Sequence, residues 1–71
     1  MPVVFIEAPP GIRIDAKRKM MEKITAAIDE AYQIGDTLVF LREYPPENVA
    51  MDGSLQTDNP RILEALKKIS A

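Results

Sequence analysis

Apolar positions along the chain follow two rhythms. Val3, Val4, Phe5 and Ile6 are consecutive, so a strand built from them is apolar on both faces, as strands of parallel sheets are. Pro2 to Ala8 therefore reads as a first strand. From Ala16 to about Gln33 the rhythm changes. Met20, Met21, Ile24, Ala27, Ile28, Ala31 and Tyr32 recur at helical spacing, with Lys17, Arg18, Lys19, Lys23, Asp29 and Glu30 mostly on the other face. Between the two segments, two prolines and Gly11 break the strand. Asp15 is a candidate helix cap, and Gly35 a candidate stop. Thr37 to Tyr44 returns to consecutive apolar residues and reads as a second strand. Strand, helix, strand in this order predicts parallel strands joined by a right-handed crossover.

The remaining third of the chain is more irregular. Asp52-Gly53 is a turn signal for a short hairpin. Asn59 followed by Pro60 reads as an N-cap and a first helical residue. Ile62, Leu63, Leu66 and Ile69 then form an apolar stripe on a final helix. The expected architecture is one α+β domain over residues 1–71, a β-α-β unit with an additional C-terminal helix. One helix layer covers one face of a two-stranded sheet. Strands apolar on both faces then need other subunits to cover the second face.

Composition sharpens that expectation. A chain of 71 residues buries a modest fraction of its surface, and such chains gain stability from disulfides, metals or partner copies. With no cysteine, disulfides are excluded. With no histidine either, Ser-His and Cys-His systems and the usual zinc sites are excluded. Oligomerisation is the route left. Nine basic against 11 acidic residues give a net charge of −2, which argues against nucleic acid as a partner. The basic helix face of Lys17, Arg18, Lys19 and Lys23 reads as a solvated surface. The longest apolar run is far too short to span a membrane. No signal segment precedes it, so a cytoplasmic location is expected.

The residue that stands out chemically is Pro2. Proline lacks an N–H and sits well at the start of a strand, which is reason enough for it to be there. A second reading follows from processing. A small second residue such as proline permits removal of Met1, leaving a secondary amine on a rigid ring. An α-amino group titrates at about 7.7–8.0, and an apolar site lowers such a value by disfavouring the charged form. A neutral amine near pH 7 is the base that proton abstraction beside a carbonyl requires.

Pro2 behind Met1, the short apolar strand, the loop with Gly11 and Arg13, the helix reading KRKMMEKITAAI, the second strand and the PPENV segment together resemble the 4-oxalocrotonate tautomerase family. The resemblance runs from Pro2 to about Gly53, and the final helix falls outside the family pattern. It implies a β-α-β unit assembled into a hexamer, or into a trimer or dimer. It also implies an N-terminal proline acting as general base on enols and 2-oxo acids, with no cofactor. The family's best-known members carry arginines where this chain has Ile12 and Leu38, and an aromatic residue where it has Val49. Those arginines hold the carboxylates of a diacid substrate.

Two consequences follow. A smaller or more neutral keto or enol substrate is expected. Arg13, one residue beyond the expected position, becomes the candidate carboxylate ligand, since a guanidinium grips a carboxylate with two parallel bonds; otherwise it is a solvated loop residue. Arg42 lies about 13 Å along the strand from Leu38 and cannot replace an arginine there; an intersubunit ion pair is its expected role. The competing readings are a non-catalytic oligomeric or binding domain that has lost the arginine clamp, and a hydration or decarboxylation using protonated Pro2 as acid.

Overall fold

The computed structural model describes all 71 residues. Strand β1 spans Val3–Ala8, helix α1 Ile14–Tyr32 and strand β2 Leu38–Glu43. A 3-10 turn at Pro46–Asn48 leads to the two-residue strands β3 (Ala50–Met51) and β4 (Ser54–Leu55). A second 3-10 turn at Gln56–Asp58 enters helix α2, Pro60–Ile69. β1 and β2 pair in parallel, from Val3 opposite Leu38 to Ala8 opposite Glu43. This is the expected small α+β arrangement, with the extra C-terminal helix in place.

Side-chain alternation sorts each strand into two faces. Val4, Ile6 and Ala8 of β1 and Val39 and Leu41 of β2 are half-buried, as are Met20, Met21, Ile24 and Ile28 of α1. The helix runs back along the sheet and is pinned at both ends. Near its start the Lys17 ammonium donates to Glu43 at 3.2 Å. Near its end the Thr37 hydroxyl donates to the Asp29 carboxylate. α1 therefore carries the chain from the C-terminal end of β1 to the N-terminal end of β2, as a parallel connection must.

The other face of the sheet is open. Val3, Phe5, Leu38 and Phe40 are between 41% and 59% exposed. The two phenylalanine rings stack at 5.2 Å, and the Arg42 guanidinium lies 5.2 Å from the centre of the Phe5 ring. Arg42 also approaches Glu7, its register partner, at 3.7 Å. Within the chain, Arg42 therefore already has an acidic partner. Both side chains are more than half exposed, so the pair adds little stability. No residue of the lone chain is buried. Its radius of gyration is 14.9 Å, against about 11 Å for a compact domain of this length. The molecule is a slab of 43 × 27 × 14 Å.

The helix ends differ from expectation for identifiable reasons. The Arg13 carbonyl accepts the first helical bond, from the Lys17 N–H. The cap position is therefore Arg13, and Asp15 lies inside the first turn, where its charge still complements the helix dipole. At the far end Gln33 adopts a left-handed conformation at φ 57°. Its side-chain amide donates to the Glu30 carbonyl at 2.7 Å. Gln33 closes the helix before Gly35 is reached, and Gly35 has no positive φ. The hairpin turn is as expected: Asp52 and Gly53 both have positive φ, which a two-residue hairpin loop of this hand requires. The Asn59 side chain accepts from the Arg61 N–H at 3.0 Å, with Pro60 in the first helical position.

Candidate functional site

The chain offers two candidate regions at opposite ends of the sheet. The first surrounds Pro2, immediately before β1. The Pro2 carbonyl accepts from the Leu38 N–H at 3.0 Å, which fixes it to the entry of β2. Pro2 lines a depression of about 380 Å³ with Met1, Val3, Val4, Ile28, Tyr32 and Ile34. No charged side chain is in that lining; its only polar side-chain atom is the Tyr32 hydroxyl. Four elements build it: β1, the last turns of α1, the connection after α1, and the chain start. Sequence reasoning picked out Pro2 but not Ile28, Tyr32 or Ile34. The signal was present, because a strand-helix-strand unit returns the end of its helix to the start of its first strand.

The second region lies beyond the C-terminal ends of β1 and β2. Glu7, Ala8, Pro9, Tyr44, Asn48, Val49 and Gln56 line a cavity of about 410 Å³. Its side chains differ from those of the first: a carboxylate, two carboxamides and a phenol join the apolar Ala8, Pro9 and Val49. The Tyr44 hydroxyl donates to Glu7 at 3.4 Å, through the same carboxylate oxygen that Arg42 approaches. Tyr44 thus lines a cavity beside three other polar side chains, Glu7, Asn48 and Gln56. Val49, at the position where the resemblance implies an aromatic residue, lies in this lining.

Arg13 belongs to neither cavity. It sits at the start of α1, with its side chain 61% exposed and its Nε 3.3 Å from Asp15. One chain does not bring Pro2 and Arg13 together. The six residues of β1 separate the ends, about 20 Å of extended chain. Ile12 lies at the Arg13 end and Leu38 at the Pro2 end, opposite Val3. No group of three or more histidine, cysteine, aspartate or glutamate side chains converges. No helix is long and apolar enough to cross a membrane.

Solved structures share this arrangement. YwhB, a homologue of 4-oxalocrotonate tautomerase, superposes with a TM-score of 0.76 at 27% identity, over 80% of this chain and 97% of its own. The chain is thus similar in fold to a homologue of 4-oxalocrotonate tautomerase. A heterohexameric 4-oxalocrotonate tautomerase from Chloroflexus aurantiacus J-10-fl matches in fold with a TM-score of 0.76 at 18% identity, over 83% of this chain and 98% of its own. A protein of methicillin-resistant Staphylococcus aureus, described as a candidate 4-oxalocrotonate tautomerase, matches with a TM-score of 0.72 at 17% identity, over 80% of this chain and 95% of its own. These tautomerase-fold chains are matched almost end to end, while about a fifth of this chain has no counterpart in them. No protein-family model and no curated protein matches the chain.

Proposed function

We propose that the protein is a cofactor-free isomerase of the tautomerase type. It would move a proton between carbon and oxygen, or between two carbons, on a small 2-oxo acid or enol. Pro2, freed by removal of Met1, is the general base. The observation that carries this reading is the setting of Pro2. It stands at the head of a tautomerase-fold β-α-β unit, in a depression lined by no charged side chain. Desolvation there favours the neutral amine. The amine takes the proton from one atom of the substrate as the double bond shifts, then returns it to another. No electron is gained or lost, so no cofactor is called for.

Arg13 is the proposed carboxylate ligand, and its position limits how it can act. Because it lies at the opposite end of the sheet from Pro2, it can reach a substrate held at Pro2 only from a second chain. The open sheet face of Val3, Phe5, Leu38 and Phe40 supports a homo-oligomer, with a hexamer favoured and a trimer or dimer as alternatives. Light scattering at micromolar concentration should give a mass several times the 7.9 kDa of the chain; a stable monomer would refute the assembly.

A non-catalytic oligomeric domain is the second reading. It is favoured by Ile12 and Leu38 at the arginine positions and by the solvated Arg13–Asp15 pair. Comparing Met1-free protein, Met1-retained protein and Pro2→Ala on phenylenolpyruvate from pH 5 to 9 decides between the two. The expected result is activity in the free form, none that depends on proline in the retained form, and a reduced rate with a displaced pH profile for Pro2→Ala. Three indistinguishable profiles would reduce Pro2 to a strand-starting residue.

A further inference from the structure

The depression beside Pro2 has a composition that bears on what kind of substrate it takes. Ile28, Tyr32 and Ile34 form a wall contributed by the end of α1 and the connection behind it, facing Val3, Val4 and Pro2. Its volume of about 380 Å³ lies within the range of clefts that hold small ligands. Such a wall offers a carboxylate no cation and only one hydrogen-bond donor, the Tyr32 hydroxyl. It offers an apolar group a contact surface, and it offers a ring the stacking and edge contacts of Tyr32. Tyr32 and Ile34 are half or more exposed, at 64% and 50%, so the surface is available to a ligand. Met1, 71% exposed, is also part of the lining; its removal takes away that side chain and none of Ile28, Tyr32 and Ile34.

We infer that this wall binds the apolar substituent, an aryl or branched alkyl group, of a monoacid enol or 2-oxo acid. Ile28, Tyr32 and Ile34 are its specificity-determining residues. The inference rests on the reading of Pro2 as the base. A substituent held on this wall places the adjacent enol carbon beside Pro2 and directs the carboxylate away from the wall.

The test separates binding from turnover. NMR titration of the Met1-free protein with 3-phenylpropanoate, an unreactive acid, should shift the backbone signals of Val3, Ile28, Tyr32 and Ile34. It should bind at least tenfold more tightly than propanoate. Ile34→Asp, and independently Tyr32→Ala, should weaken that binding and raise the KM for phenylenolpyruvate at least tenfold. Each should cost less on 2-hydroxypenta-2,4-dienoate, which has no ring. Absence of shifts at these residues, or equal losses on both enols, would overturn the inference. Loss of assembly in both variants would overturn it too, by making the wall a subunit interface. Ligand binding at the wall without proline-dependent turnover would instead overturn the reading of Pro2 as base. Proline-dependent turnover with no preference for the ring would overturn the wall assignment alone.

Discussion

The two ends of the sheet differ in chemistry although the same strands form both. At the Pro2 end the lining side chains are aliphatic and aromatic, and none is charged. At the other end Glu7, Tyr44, Asn48 and Gln56 face a cavity of similar size, with Arg13 and Arg42 close by in the chain. On the proposed reading, the difference is a division of labour along a parallel strand. The amine that must stay neutral would sit in the depression without a charged side chain. Groups that recognise charge or hydrogen bonds would sit at the other end. Strand β1 is the spacer between them.

The largest effect should come from the amine itself. Leaving Met1 in place turns the Pro2 nitrogen into an amide without a basic lone pair, and kcat should fall by the ~10²–10⁴-fold that a positioned general base supplies. Intact mass and steady-state rates of the same sample check this together; full activity in a sample that retains Met1 would erase the distinction between the two ends.

Next is the consequence of Ile12 and Leu38. A hydrogen bond to a charged group contributes about 1.5–3 kcal/mol. Lacking two of them should place kcat/KM for 2-hydroxymuconate on the order of a thousandfold below that for phenylenolpyruvate, since 1.36 kcal/mol is tenfold. Equal rates on the two substrates would mean that the polar end supplies carboxylate ligands not recognised among its residues.

A smaller effect should follow from Arg13→Ala. If Arg13 of one chain serves Pro2 of another, KM for acid substrates should rise about tenfold, as loss of a single charged contact of about 1.4 kcal/mol would give. Neutral enols should be little affected. Identical changes for both would return Arg13 to its pairing with Asp15.

The smallest effect concerns the region outside both ends. Asn59→Ala removes the side-chain acceptor for the Arg61 N–H and should lower stability by about 1 kcal/mol, read in a denaturant titration. Activity should not follow. A loss of turnover at unchanged stability would draw α2 into the site.

Much of this was legible in the chain because it depends on local chemistry. Consecutive apolar residues announced β1 and β2, the helical spacing announced α1, and Asp52-Gly53 and Asn59-Pro60 announced the hairpin and α2. The ends of α1 were misread because two weak signals competed with stronger ones nearby. Asp15 yielded the cap position to Arg13, whose carbonyl begins the helical bonding. Gly35 was preceded by Gln33, which closes the helix with its own side chain. Pro2 could be singled out as a candidate because the chemistry proposed for it follows from its place behind Met1. Its neighbours Ile28, Tyr32 and Ile34 were not, because an aliphatic residue carries no chemical mark until tertiary structure gives it a companion. The separation of Pro2 from Arg13 could have been read directly: a strand cannot have its beginning and its end in one place.

The absence of any buried residue in the lone chain has a thermodynamic corollary. A chain with no interior of its own gains little from folding alone, so in the proposed homo-oligomer folding and association would be one equilibrium. Stability then has no single value but follows mass action. The unfolding midpoint should climb as the protein is concentrated and sink on dilution. Refolding should show a phase whose rate depends on how often chains meet. The flat shape that leaves the single molecule without a core would thereby make protein concentration a control on how much folded protein exists.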